Sequence, residues 1–201
     1  MKIWSVIPAA VIVMATALPA SAQKISLNAL SQYLNGLRTA KGAFTQVNDD
    51  GTISTGTIYI KRPGRIRFEY NPPEKALVLA SGGTVVIFDP KTNEPPESYP
   101  LSRTPLSIIL DGNVNLNRAK MVVAHTSDGK TTRVTAQDPE HPEYGNIQLV
   151  FTANPTELRQ WVINDDAGSR TTVILGELNK NASMNNSLFN PETALPKANN
   201  R

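Results

Sequence analysis

An α+β fold, a curved antiparallel sheet with helices segregated onto it, is what this sequence predicts, on three observations. Between residues 40 and 178, short runs of alternating apolar and polar residues recur at intervals near ten, separated by Gly, Pro, Asn and Asp turns. Leucines at helical spacing precede these runs, and one short apolar helical stretch interrupts them. The runs amount to roughly nine to eleven strands, a sheet wide enough to curl, and a curled sheet closed by helices encloses a space.

The start of the chain lies apart from that pattern. Met1-Lys2 is a basic leader, Ile3 to Leu18 is apolar, and Ala20-Ser21-Ala22 offers small residues before Gln23. Residues 1–22 therefore read as a cleaved signal peptide, with residues 23–201 forming one domain. No later run approaches the ~18 apolar residues that span a bilayer, so a soluble exported protein is expected, with the periplasm as its compartment. The chain has no cysteine, which excludes a disulfide framework and N-terminal lipidation. Without the leader, 19 basic face 17 acidic side chains, a net +2. So small an excess, scattered along strands, gives no nucleic-acid footprint.

In chain order, Ser26 is an N-cap for a helix carrying Leu27, Leu30, Leu34 and Leu37 on one stripe. From Ala40 the period becomes two. Phe44–Val47, Ile53–Lys61 and Arg65–Tyr70 read as strands, the last two joined at Pro63-Gly64, before Asn71-Pro72-Pro73 breaks the sheet. Lys75–Ala80 and Val85–Phe88 form the next hairpin about Ser81-Gly82-Gly83. Glu94-Pro95-Pro96 then opens an irregular connection. Within it Thr104-Pro105 reads as a helix start, and Leu106, Ile109 and Leu110 as a short stripe ending at Gly112. A greasy helix on a loop between two runs of strands is a candidate lid. Strands resume at Met121–Thr126, Thr131–Gln137, Ile147–Phe151, Leu158–Ile163 and Thr171–Leu178. The Asn- and Pro-rich tail from about residue 180 is expected to be loosely attached.

Arg62 breaks the rule of its strand. Strict alternation puts Ile58, Ile60 and Arg62 on one face, so a guanidinium ends an apolar row. One placement lets it snorkel from the nearby turn into water. The other makes it cap an apolar cavity, hydrogen-bonded to whatever covers the mouth, because a buried charge without partners is costly.

Reactive groups are sparse. The two histidines, His125 and His141, stand at a strand end and in a proline-bounded loop, without the partners of a metal site. No nucleophile elbow or phosphate-cradling glycine loop is present, and Asp49-Asp50 and Asp165-Asp166 occupy turns. Catalysis and cofactors are not expected; binding is. The inward candidates are Ile58, Ile60, Ile66, Phe68, Val85, Ile87, Ile147, Leu149 and Phe151, a lining that suits alkyl chains better than sugars or nucleotides. The same pattern also describes a filled core with no ligand.

Several motifs carry a resemblance. Gly42-Ala43-Phe44-Thr45-Gln46 precedes Lys61-Arg62-Pro63-Gly64-Arg65 and Arg67-Phe68; the Asn71-Pro72-Pro73 break, Ser81-Gly82-Gly83-Thr84, Asp89-Pro90 and Thr104-Pro105-Leu106 follow. In this the chain resembles the periplasmic outer-membrane lipoprotein carrier (LolA) family, most densely over residues 42–110. The resemblance implies an unclosed β-barrel with a helical lid over an apolar cavity, acting as a monomer. It implies partners as well: acylated lipoproteins, the inner-membrane ABC transporter that releases them, and an outer-membrane receptor. Arg62 is similar to the family's lid-latching arginine, with Leu30, Leu34, Leu106, Ile109 and Leu110 on the lid. The alternative is a carrier or envelope sensor of the same shape for another lipid, such as a glycolipid.

Overall fold

Ser26 opens the first helix, α1 (Leu27–Gly36), by accepting a hydrogen bond from the Ala29 amide at 3.2 Å, which satisfies one of the donors a helix start leaves free. The computed structural model describes residues 23–92 and 94–194 of the chain; the expected signal peptide lies outside the described residues. Leu30 and Leu34 are buried on the inner side of α1, and Leu37 is buried just beyond its end. No described helix is long and apolar enough to cross a membrane.

Twelve strands follow: β1 (Thr39–Val47), β2 (Ile53–Lys61), β3 (Ile66–Tyr70), β4 (Leu77–Ser81), β5 (Thr84–Phe88), β6 (Glu97–Pro100), β7 (Val122–Ser127), β8 (Thr131–Gln137), β9 (Asn146–Thr152), β10 (Glu157–Asn164), β11 (Arg170–Leu175) and β12 (Asn179–Lys180). They form one antiparallel sheet in the order β6-β5-β4-β3-β2-β1-β11-β10-β9-β8-β7, with β12 paired to the start of β1. Two meanders thus meet at β1 and β11. Strands β6 and β7 are its two edges and do not pair with each other, so the sheet is unclosed. The chain that joins these edges carries α2 (Leu106–Leu110), preceded by a 3-10 turn at Leu101–Arg103.

Register puts the apolar residues on one concave face. Ile58 pairs with Phe68, Ile60 with Ile66, Ile66 with Ala80 and Ala80 with Val85; in the other meander Leu149 pairs with both Val134 and Trp161. Glycine serves this face at one point in particular. A Cβ on Gly56 would sit 2.1 Å from the Glu69 carbonyl oxygen and 2.6 Å from the Phe44 ring. The bare backbone lets that ring lie across β2, edge-on to Phe68 at 5.2 Å and to Tyr70 at 5.1 Å.

Two local expectations need correction. Thr104 does not cap α2; its hydroxyl donates to the Leu101 carbonyl at 2.9 Å, inside the preceding turn. The tail, expected to attach loosely from about residue 180, is packed onto the outer face of the sheet as far as residue 190. β12 pairs with β1, and a 3-10 turn at Asn186–Phe189 packs on β3 and β4. Phe189 there is 2% exposed, and Leu79, on the outward side of β4, is 0% exposed. The outward cations Lys61 and Arg67 donate to the carbonyls of Met184 and Leu188 at 2.9 and 3.0 Å. A lone apolar pair in a polar tail gave little sign of this, because its partners are the outward residues of β3 and β4, far away in sequence.

Candidate functional site

The interior of the curved sheet is shut on one side by α1 and α2. Ile25 ties the start of α1 to the second meander: its amide donates to Thr132 Oγ1 at 3.0 Å, and its carbonyl lies 2.9 Å from His125 Nε2, which that bond requires to carry the proton. Tyr33 sets its ring edge-on to Phe151 at 5.8 Å, and its hydroxyl accepts from the Leu158 amide at 3.1 Å. On the other helix, Leu106, Ile108, Ile109 and Leu110 are all buried, and the Leu110 carbonyl accepts from the Gly64 amide at 2.8 Å. Gly64 takes φ +68° at the tip of the β2–β3 hairpin, a conformation glycine adopts without steric cost.

Arg62, just after β2, stands where these parts meet. Its backbone amide donates to the Arg38 carbonyl at 2.8 Å, and its guanidinium forks. One terminal nitrogen donates to the Leu34 carbonyl in the last turn of α1; the other donates to the Asp111 carbonyl at the end of α2 and reaches Asn35 Oδ1 at 3.4 Å. Helix ends leave carbonyls without intrahelical donors, and the end of a helix dipole favours a cation, so the placement is electrostatically sound. Only a planar fork spans two such acceptors at once. Burial pulls the Arg62 pKa down from its ordinary value, with the Asp111 carboxylate opposing the change. Nε is buried without a hydrogen-bond partner among the described residues.

Of the residues singled out from the sequence, Ile58, Ile60, Ile66, Ile147, Leu149 and Phe151 pack in one buried cluster with Leu30, Leu34, Leu106, Ile109 and Leu110. Phe68 and Val85 belong to the same cluster, with Ile87 packed against it, and these three together with Leu106 also line an open cavity of about 510 Å³. Its other walls include Tyr70, Tyr99, Trp161 and Val173, with Asp165 and Asp166 among its lining residues. The sequence reading missed this contribution, whose aromatic part comes from strands of both meanders and whose acidic part comes from the turn after β10. Trp161 is fully buried, and its indole N–H has no hydrogen-bond partner among the described residues. Burial pushes the Tyr70 hydroxyl up to about 12, and the hydroxyl donates to Gln46 Oε1 at 2.7 Å.

Also missed were Ser31 and Asn35, polar residues four apart on α1. The Ser31 hydroxyl accepts from the Leu116 amide at 3.0 Å, and Asn35 exchanges two bonds of 2.9 Å with the backbone of Val114. Their spacing was legible as one stripe of the helix; their partners, about 80 residues away, were not. Among the described residues no group of three or more His, Asp or Glu side chains converges to hold a metal ion. His125 is engaged with Ile25, and His141 lies exposed beside Glu143 at 3.0 Å.

Comparison with known proteins places this geometry. Residues 35–192 match the family model described as outer membrane lipoprotein carrier protein LolA. The chain is similar to the outer-membrane lipoprotein carrier protein of Coxiella burnetii, 26% identical over 179 residues covering 84% of this chain and 83% of that one. It is similar to the protein of the same name from Azotobacter vinelandii, 24% identical over 180 residues, covering 85% and 86%. Its fold is similar to that of a solved domain from Vibrio parahaemolyticus, provisionally named as an outer membrane lipoprotein-sorting protein. The TM-score is 0.50 at 8% identity, over 83% of this chain and 95% of that one. With its unclosed antiparallel sheet, two covering helices and a family match over most of its length, the chain belongs to the outer-membrane lipoprotein carrier (LolA) family.

Proposed function

We propose that this protein is a periplasmic, non-catalytic carrier that takes the acyl chains of lipoproteins into its apolar interior. On this reading it receives them from an inner-membrane ABC transporter and hands them to the outer membrane, through a receptor where one exists. The observation that carries the reading is the Arg62 fork, which bonds the ends of both helices over an apolar interior.

The energetics favour a lid of this kind. Each buried methylene contributes about 0.8 kcal/mol, so one long acyl chain brings on the order of 10 kcal/mol of driving force. A carrier that kept all of it would not release its cargo. In the closed structure the side chains of Leu30, Leu34, Leu106, Ile109 and Leu110 fill the interior beside the cavity of about 510 Å³. Opening exposes them and breaks the Arg62 bonds; cargo then replaces the contacts they lost. The closed empty state and the loaded state thus become close in free energy, as handover requires.

The test is to purify the protein from the periplasm of cells that make lipoproteins and identify what copurifies by mass spectrometry. Depletion of the protein should also strand outer-membrane lipoproteins in the inner membrane of fractionated envelopes. Acylated peptides with stranded lipoproteins are expected. Glycolipid alone would redirect the reading to another cargo, and an empty protein with normal lipoprotein location would overturn it.

A further inference from the structure

The bonds of Arg62 reach α1 and the end of α2 separately, but a second set of bonds joins α1 to the strip that follows α2. Asn35 presents both halves of its amide to Val114: Nδ2 donates to the Val114 carbonyl and Oδ1 accepts from the Val114 amide, each at 2.9 Å. One turn earlier Ser31, 6% exposed, donates to the Leu27 carbonyl at 2.8 Å and accepts from the Leu116 amide at 3.0 Å. Val114 and Leu116 are 3% and 1% exposed, so these backbone groups have little water to turn to. Amide and hydroxyl side chains rarely face a core without such partners. Leu30 and Leu34, their neighbours in sequence, face the interior cluster.

The strip 113–116 is therefore stitched to α1, and it follows directly from the end of α2. We propose that Asn35, supported by Ser31, is a positioning residue that makes α1 and the segment 104–116 one rigid lid, so that neither helix leaves the sheet without the other. Without this clasp, Arg62 holds two flaps that open independently, and an acyl chain can slip under one while the other stays shut. With it, opening is all or none. The inference deepens the carrier reading and rests on it for the purpose of the lid, but the coupling is measurable without any cargo.

Two amides outside the helices, one in β10 and one at the tip of the β2–β3 hairpin, report the two helices one at a time. The Leu158 amide is bonded to Tyr33 Oη on α1, and the Gly64 amide to the Leu110 carbonyl on α2. Hydrogen exchange of both is followed by NMR in the purified protein, with Val162 in β10 as a reference for global unfolding. Ile109→Ala removes side-chain packing that α2 contributes, leaving the clasp residues and the Tyr33–Leu158 bond of α1 unaltered. In an otherwise unchanged protein it should speed exchange at Gly64 and Leu158 by the same factor, tenfold or more, while Val162 is unaffected. In an Asn35→Ala, Ser31→Ala background the same substitution should speed Gly64 and leave Leu158 within twofold. Asn35→Asp keeps the acceptor for the Val114 amide and sets a carboxylate beside Arg62, so both reporters should slow together.

Acceleration at Gly64 alone in the unaltered background overturns the proposal, as does equal acceleration at both sites when the clasp is absent. Should Ile109→Ala unfold the protein, Val162 would reveal it, and Leu106→Ala takes its place as the α2 perturbation. Uptake of palmitic acid is measured in parallel. Coupling without uptake would overturn the carrier reading and leave the clasp standing; uptake without coupling would do the reverse.

Discussion

Replacing Arg62 with leucine removes the fork while leaving an aliphatic stem of similar reach on the same backbone. Hydrogen bonds with a charged partner contribute about 1.5–3 kcal/mol each. Two such bonds, to the carbonyls of Leu34 and Asp111, are offset by partial burial of the guanidinium and by an Nε with no partner among the described residues. A net value of about 2 kcal/mol for the closed lid follows, or roughly 30-fold in the open-to-closed ratio. When the competent state is rare, apparent affinity scales with its population, so Arg62→Leu should bind a fluorescent fatty acid such as cis-parinaric acid roughly 30-fold more tightly. Release to acceptor vesicles should slow correspondingly. Arg62→Lys keeps the charge but not the fork and should fall between the two. Titration of delipidated protein, with circular dichroism to verify the fold, decides the matter. A natively folded Arg62→Leu protein with unchanged affinity and unchanged release would refute the latch.

Three further outcomes follow from the packing. Gly56→Ala drives a methyl group into the Glu69 carbonyl and the Phe44 ring, and backbone cannot yield as a side chain does; we expect a loss of about 1–3 kcal/mol or more in urea unfolding. Phe189→Ala removes the buried ring of the turn that packs on β3 and β4, and a loss of about 3 kcal/mol is expected, with earlier proteolysis of the tail than of the sheet. Tyr70 has a folded pKa raised above its ordinary value of 10.0 to about 12 by burial, so its contribution is complete below pH 10 and is lost as pH rises towards 12. Chemical unfolding at pH 9 and pH 11.5 should show a larger drop for the unaltered protein than for Tyr70→Phe; equal drops would count against the buried hydroxyl.

Local order was legible because it is written in short-range patterns. The leucine stripe of α1 and its Ser26 cap follow from a period of 3.6 and from the donors a helix start leaves free. The inward rows Ile58–Ile60 and Ile66–Phe68 follow from a period of two, which register then carries across the sheet. Arg62 was noticeable because it broke that period. The pattern alone left two placements for it, since whether a charge faces water or a helix end depends on which helix lies above it.

Tertiary structure decided what lies above and beside each strand. β1 pairs with β11 across more than a hundred residues, leaving β6 and β7 as unpaired edges and sending the intervening chain with α2 over the gap between them. The carbonyls that Arg62 finds, the strip that Asn35 holds and the cover that the 186–189 turn gives to β3 and β4 are all contacts between distant segments. Alternation assigns a side chain to a face. It does not say what meets that face, because closure of the chain over long distances is set by the packing of the whole core.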